Sequence, residues 1–275
     1  MRIWEQRYKI VEPQRTDTNI RYYTDDQLKL ILNISLLNRN GMRISQIANM
    51  SEEERQRKIS EIDDKEIQYE NQIKSLTFSM IDIREDVFEK IINTSILQIG
   101  FEMTMIRIVY PFLERVGTLW RSGAISPAQE HFISNLIRQK MVVAIDGQTT
   151  PVLHEKPKFL LFTPEGDFHE LSLLFMHYLL RSRGVAAIYL GANVPFQDLA
   201  NIIDEHEPDH IFMVMMVKPN RISVEAYLKQ FADKYSNKRM LITGQKALEK
   251  PERIPSCFET VRSFEQSLEI VSNLK

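Results

Sequence analysis

From about residue 62 to 148, apolar residues return at steps of three and four: Ile73, Leu76, Met80, then Phe88, Ile91, Ile92 and Ile96. That spacing lines one face of an α-helix. Glycine and proline are scarce over the same stretch, so the pattern predicts a bundle of about four helices. One helix start is marked in full: Ser126 as cap, Pro127 in the first turn, and Gln129 completing a capping box. After GQTTPVLHEKP (147–157) the period changes. Strand-like runs KFLLFT (158–163), AAIYLG (186–191), HIFMVMMV (210–217) and RMLIT (239–243) alternate with helical HELSLLFMHYLLRSR (169–183), FQDLANIIDEH (196–206), VEAYLKQFADKY (224–235) and FEQSLEIVSNL (264–274). Such alternation predicts a parallel sheet wrapped by helices.

Upstream, PQRTDTNIRYY reads as a short hairpin. An amphipathic helix follows it, capped by Thr24 with Asp25 and Asp26 behind, and stopped at Gly41. A second short helix follows Ser45, and SEEERQRKI opens another with acidic residues in its first turn. The expected class is therefore multidomain, α and α/β, over 1–60, 61–150 and 156–275.

Composition narrows the functions. The chain has 275 residues and a net charge of −2, so any nucleic-acid footprint is local rather than global. A single cysteine, Cys257, excludes an intrachain disulfide framework and a Cys-rich zinc site. No secretory signal or membrane-spanning run is apparent, which makes the cytoplasm the expected compartment. Walker, dinucleotide-fingerprint and nucleophile-elbow motifs are missing, and no enzyme activity is expected. His206 and His210, with Glu205 and Glu207, flank a Pro-Asp turn and read as a polar helix end.

The first fifty residues resemble the MerR family of winged helix-turn-helix regulators. The resemblance is carried by "RIWEQR" (Arg2, Trp4, Glu5, Arg7), Pro13 and Arg15, "NIRYYTDDQL", and the "GMRISQIA" turn. It implies binding to promoter DNA, with Arg2, Arg7, Tyr8, Arg15, Arg21 and Tyr22 as contacts. The charge pattern agrees: the first 23 residues hold five basic side chains (Arg2, Arg7, Lys9, Arg15, Arg21) against three acidic (Glu5, Glu12, Asp17). Arginines and tyrosine hydroxyls hold phosphates and set register. Taken singly, each arginine is also an ordinary solvated surface charge, and Trp4 and Leu28 read as small-core residues. In this family a helix and the start of the recognition helix precede "RIWE". The reading head beginning at Met1 is therefore expected to lack its first helix and to need an upstream segment for specific binding.

His169 sits where the strand KFLLFT hands over to a helix, the edge at which open α/β sheets bind ligands. From the residues alone it is either a ligand-holding imidazole or a loop histidine bonded to its neighbours. The passage Asp167-Phe168-His169-Glu170-Leu171-Ser172 resembles the Asp-x-His-x-x-Gly motif of cobalamin-binding domains, with Ser172 in the glycine's place. By the family spacing, the Ser-x-Leu position falls on Met215-Met216-Val217, without the serine. The Gly-Gly position falls on Gly244-Gln245, half kept. The resemblance implies a Rossmann-like, doubly wound domain holding adenosyl- or methylcobalamin. His169 would be the lower axial metal ligand with Asp167 behind it, and Ser172, Met215, Val217, Gly244 and Gln245 would lie about the nucleotide tail.

LWRSGAISPAQEHF (119–132) resembles the helical cap of light-responsive, cobalamin-dependent MerR-type repressors, the CarH/LitR group. Trp120 and the pair Glu130 and His131 match at that group's spacing. By that resemblance Trp120, Glu130 and His131 lie over the upper face of the corrin. Read alone, Trp120 is a bundle-core residue and Glu130–His131 a helix-surface pair. Arg121 stands where the light sensors carry a histidine, and a guanidinium has no lone pair to give cobalt. The function expected is a DNA-binding regulator that senses a corrinoid and changes self-association, as a dimer or tetramer, with no membrane partner. Two alternatives stay open: a ligand-free interaction or oligomerisation protein on the same fold, and a corrinoid carrier subunit.

Overall fold

The structure, a computed structural model, describes residues 14–15, 19, 21–39, 41–61, 64–153, 155, 157–220 and 222–274. The chain divides into two compact units, 1–74 and 75–275.

In the first unit, β1 (Gln14–Arg15) pairs antiparallel with β2 (Arg21–Tyr22). Helix α1 (Asp25–Arg39) begins at Thr24, whose hydroxyl accepts from the Gln27 amide at 3.3 Å while the Gln27 side chain accepts from Thr24 N at 3.0 Å. That reciprocal pair supplies two of the partners a helix start lacks. Helix α2 (Ile44–Ala48) begins one residue before the expected Ser45. Helix α3 (Glu52–Glu61) is boxed by Ser51 and Glu54. Ile34, Leu37 and Ile47 form a small buried cluster, with Leu30, Met42, Ile44 and Ile59 against it.

Helix α4 (Asp64–Ile81) leads into the second unit, whose helical part continues with α5 (Glu85–Thr104), a π-turn at Met105–Val109, α6 (Tyr110–Arg121) and α7 (Pro127–Asp146). Leu76, Met80, Phe88, Ile92, Phe112 and Met141 are fully buried and make its core. The Ser126–Gln129 capping box forms as the sequence predicts. Gly100, at φ 79 and ψ 162, breaks α5 with a backbone conformation close to one only glycine takes readily. One expectation needs correction: by length and composition the run Glu85–Arg121 would qualify to cross a membrane. In this structure it is kinked at Gly100, and its Phe88, Ile92 and Phe112 are buried in the bundle.

The α/β part carries β3 (Phe159–Pro164), β4 (Ala187–Val194), β5 (His210–Val214), β6 (Arg239–Thr243) and β7 (Phe258–Thr260), all parallel, in the order β4-β3-β5-β6-β7. Between them run α8 (Leu171–Ser182), α9 (Phe196–His206), α10 (Val224–Tyr235), the short α11 (Gln245–Leu248) and, last, α12 (Phe264–Ser272). The two-residue period of the strands sends Leu160, Phe162, Ile211, Met213, Met240 and Ile242 into one core with α9 and α10. Departures from the sequence reading include two of the strands. β7 is a three-residue strand inside a turn-rich stretch, too short for a pattern to announce. β5 stops at Val214, three residues before the apolar run ends at Val217: Met215 makes a last bond to the Thr243 carbonyl of β6, and the Met216 and Val217 amides then turn to the Asp167 side chain. Chain order reverses between β3 and β5, so the loops after those strands open a crevice there.

Candidate functional site

The loop from β3 to α8 places Asp167 and His169 in that crevice. Asp167 is only 1% exposed, yet its carboxylate is fully engaged. Oδ1 accepts from the His169 backbone amide at 3.0 Å and from His169 Nδ1 at 2.9 Å. Oδ2 accepts from the amides of Met216 at 2.6 Å and Val217 at 3.1 Å. Burial opposes the charge on Asp167, but the His169 side chain and these amides together hold its carboxyl below the usual carboxylate value. An ionised carboxylate only accepts, so Nδ1 of His169 carries a proton, and in the neutral ring Nε2 keeps its lone pair, directed away from Asp167. The His169 side chain is 60% exposed. Its bond to Asp167 raises its pKa, and the nearby Glu130 carboxylate adds to the same effect.

A second layer holds the loop. Gly166, at φ 90, donates to Asn193 Oδ1 at 2.8 Å, and Asn193 donates its own amide to the Asp167 carbonyl at 3.0 Å and to Thr163 Oγ1 at 2.9 Å. Thr163 in turn donates to the Asp167 carbonyl. Asn193 has φ 60, a conformation asparagine tolerates better than most residues. These roles were not anticipated from the sequence. Gly244 is needed for space: a Cβ there would meet the Met215 carbonyl oxygen at 2.4 Å, and its φ is 105.

The sequence-expected residues fall in several places. Met215 is fully buried and joins the α9–α10 core, whereas Met216 and Val217 are half-buried beside Asp167. Met216 Sδ accepts from the Gln245 amide at 3.4 Å, which brings Gly244 and Gln245 to the same rim. Ser172 lies half-buried in the first turn of α8. On the helical side, Trp120 ends α6 with 54% of its surface open, so it is not a core tryptophan. Glu130 and His131 occupy the first turns of α7, with His131 Nδ1 2.8 Å from Glu130 Oε2. The Arg121 guanidinium folds back to Thr118 Oγ1 at 3.2 Å. Among the described residues no group of three or more His, Cys, Asp or Glu could hold a metal, so His169 would be a lone protein ligand.

Of the expected DNA contacts, Arg2, Arg7 and Tyr8 lie outside the described residues. Arg15 is exposed on β1 and donates to Asn19 Oδ1. Arg21 and Tyr22 form β2, where their backbone alone is described.

Family matches fall on the N-terminal region and on the helical bundle. Residues 1–54 match the MerR HTH family of regulatory proteins, and residues 72–144 match a B12 binding domain family. The HTH-type transcriptional repressor CarH of Myxococcus xanthus is 26% identical over 221 residues, 77% of this chain and 72% of that protein. CarA, an HTH-type transcriptional repressor of the same organism, is 24% identical over 211 residues, 76% of this chain and 68% of its own. The monomethylamine corrinoid protein of Methanosarcina barkeri shares the fold, with a TM-score of 0.57 at 12% identity over 73% of this chain and 97% of that one. The chain is thus a homologue of the CarH and CarA repressors, joining a MerR HTH domain to a B12-binding domain.

Proposed function

We propose that this protein is a DNA-binding transcriptional regulator, not an enzyme, whose C-terminal half binds a cobalamin and changes self-association with it. One observation carries the reading: Asp167 Oδ1 accepts a hydrogen bond from His169 Nδ1 and leaves the imidazole open at the crevice between β3 and β5. An imidazole held this way suits a ligand to cobalt, since a carboxylate behind a histidine fixes its tautomer and raises its basicity. A bound corrinoid would supply a cobalt centre carrying an exchangeable upper group. His169 would hold the cobalt, Asp167 would hold His169, and Trp120, Glu130 and His131 would border the corrinoid from the helical bundle. The rim of Met216, Val217, Gly244 and Gln245 would receive the nucleotide tail. The MerR match supports promoter DNA as the partner of residues 1–60.

A regulator needs a ligand that favours one of two states. The ligand-free, methylcobalamin-loaded, adenosylcobalamin-loaded and illuminated chains should therefore be compared by gel filtration with light scattering. Cobalamin absorbance should co-elute with protein, and mass should differ between states. Co-elution with one unchanging mass would favour a corrinoid carrier subunit. No co-elution, with unchanged mass, would leave a ligand-free interaction protein.

A further inference from the structure

Glu170 follows the histidine directly, and nothing in the motif accounts for it. Its side chain is 16% exposed and has two partners from distant parts of the chain. Oε1 accepts from Arg138 Nε of α7 at 2.6 Å, and Oε2 accepts from the Tyr189 hydroxyl of β4 at 2.6 Å. Tyr189 is pinned in turn, its ring lying parallel to His177 of α8 at 4.9 Å. Glu170 is also the residue from which α8 starts: its carbonyl accepts the Leu174 amide at 2.8 Å, and its own amide donates to Phe168 at 3.1 Å. The residue carries strand, helix and bundle contacts at once.

Arg138 shares α7 with Glu130 and His131. Eight residues of α-helix separate Glu130 from Arg138, about 12 Å along the axis. A rigid helix thus has the bundle's polar pair at one end and the Glu170 ion pair two turns on. We propose that Glu170 is a positioning residue: clamped by Arg138 and Tyr189, it sets where the His169 loop stands relative to α7. Displacement of α7 then moves the imidazole, and occupancy at the imidazole is felt by α7. This rests on His169 being the axial ligand, but the mechanical claim concerns the ligand-free loop and has its own readout.

The test uses the full chain with Arg138→Ala, Arg138→Lys and Glu170→Gln. In the ligand-free protein, backbone hydrogen exchange followed by NMR should speed up about tenfold at the amides of His169 and Glu170 in Arg138→Ala and Glu170→Gln, with β6 amides unchanged. Arg138→Lys, keeping the charge, should restore part of the protection. Unchanged exchange, or an increase spread through β6, overturns the proposal. In the loaded protein, Arg138→Ala should weaken methylcobalamin about tenfold, the scale of losses at partners behind a metal ligand. The same substitution should add nothing once His169→Ala is present. A full additive loss in that background also overturns the proposal, since the arginine would then act independently of the histidine. If the parent chain takes up no methylcobalamin, the axial-ligand reading falls, and the exchange experiment still decides whether Glu170 positions the loop.

Discussion

Met216 donates its backbone amide to the Asp167 carboxylate at 2.6 Å, 49 positions along the chain. With the Val217 amide beside it, the main chain after β5 becomes the anchor of the His169 site. Side chains at 215–217 contribute nothing to that anchor, so replacement of a serine there leaves it whole. Met216→Ala keeps the amide and should accordingly lower cobalamin affinity only through its lost contact with Gln245, by less than removal of the amide does. Met216→Pro removes the donor and should lower affinity by roughly tenfold. Spectrophotometric titration with methylcobalamin measures both; equal affinities would show that the amide does not matter.

Asp167→Asn keeps the shape and removes the charge. Charge-assisted hydrogen bonds are about twice as strong as neutral ones, and the amide's NH2 would face a donor. Cobalamin affinity should fall about 10- to 100-fold, and His169→Ala should additionally remove the absorption signature of imidazole-bound cobalt. If the asparagine variant binds like the parent, Asp167 serves the loop alone.

The His169–Asp167 pair gives two opposite pH trends. His169 has its pKa raised above 6.5, so its share of ligand-free stability is fully present below 6.5 and is lost as pH rises through the raised value. Asp167 lies below 3.8, so its share is present above 3.8 and is lost as pH falls through the depressed value. The stability difference between parent and His169→Ala should be largest between those limits. Cobalt coordination runs the other way, because a proton on Nε2 takes the lone pair. Affinity should rise with pH across the His169 titration, and a flat profile in both measurements would break the link.

Gly244→Ala tests the rim. The added Cβ would overlap the Met215 carbonyl at a φ of 105, so backbone must shift. The expected cost is about 1–3 kcal/mol, read as a lower urea midpoint of the sheet-containing part. A parent-like midpoint would mean that Met215 yields without strain.

For DNA, Arg15 is the described candidate contact, exposed on β1. With a chain that binds a promoter fragment, Arg15→Ala should weaken binding evenly across sequences. It should also reduce the salt slope by about one, the mark of a lost phosphate contact. An altered sequence preference at unchanged slope would instead assign the arginine to base reading.

The sequence by itself determined the elements and their order. Apolar periodicity is a signal spanning a few residues, so it located the bundle, four of the five strands of the parallel sheet and its four longer helices. The caps at Thr24 and Ser126 are equally local, being side chains bonded three residues away. The pair Asp167–His169 was legible for the same reason, its members being two positions apart. What makes that pair a site was not. Met216 reaches Asp167 from 49 positions away, Asn193 holds Gly166 from 27, and Arg138 grips Glu170 from 32. Each contact depends on which strands lie side by side and which helix packs on which edge. Tertiary structure also cut β5 short at Val214, since an apolar run cannot show that its last amides are taken by a buried carboxylate. Local pattern is written in neighbours, whereas a buried charge is satisfied by whatever backbone the fold brings to it.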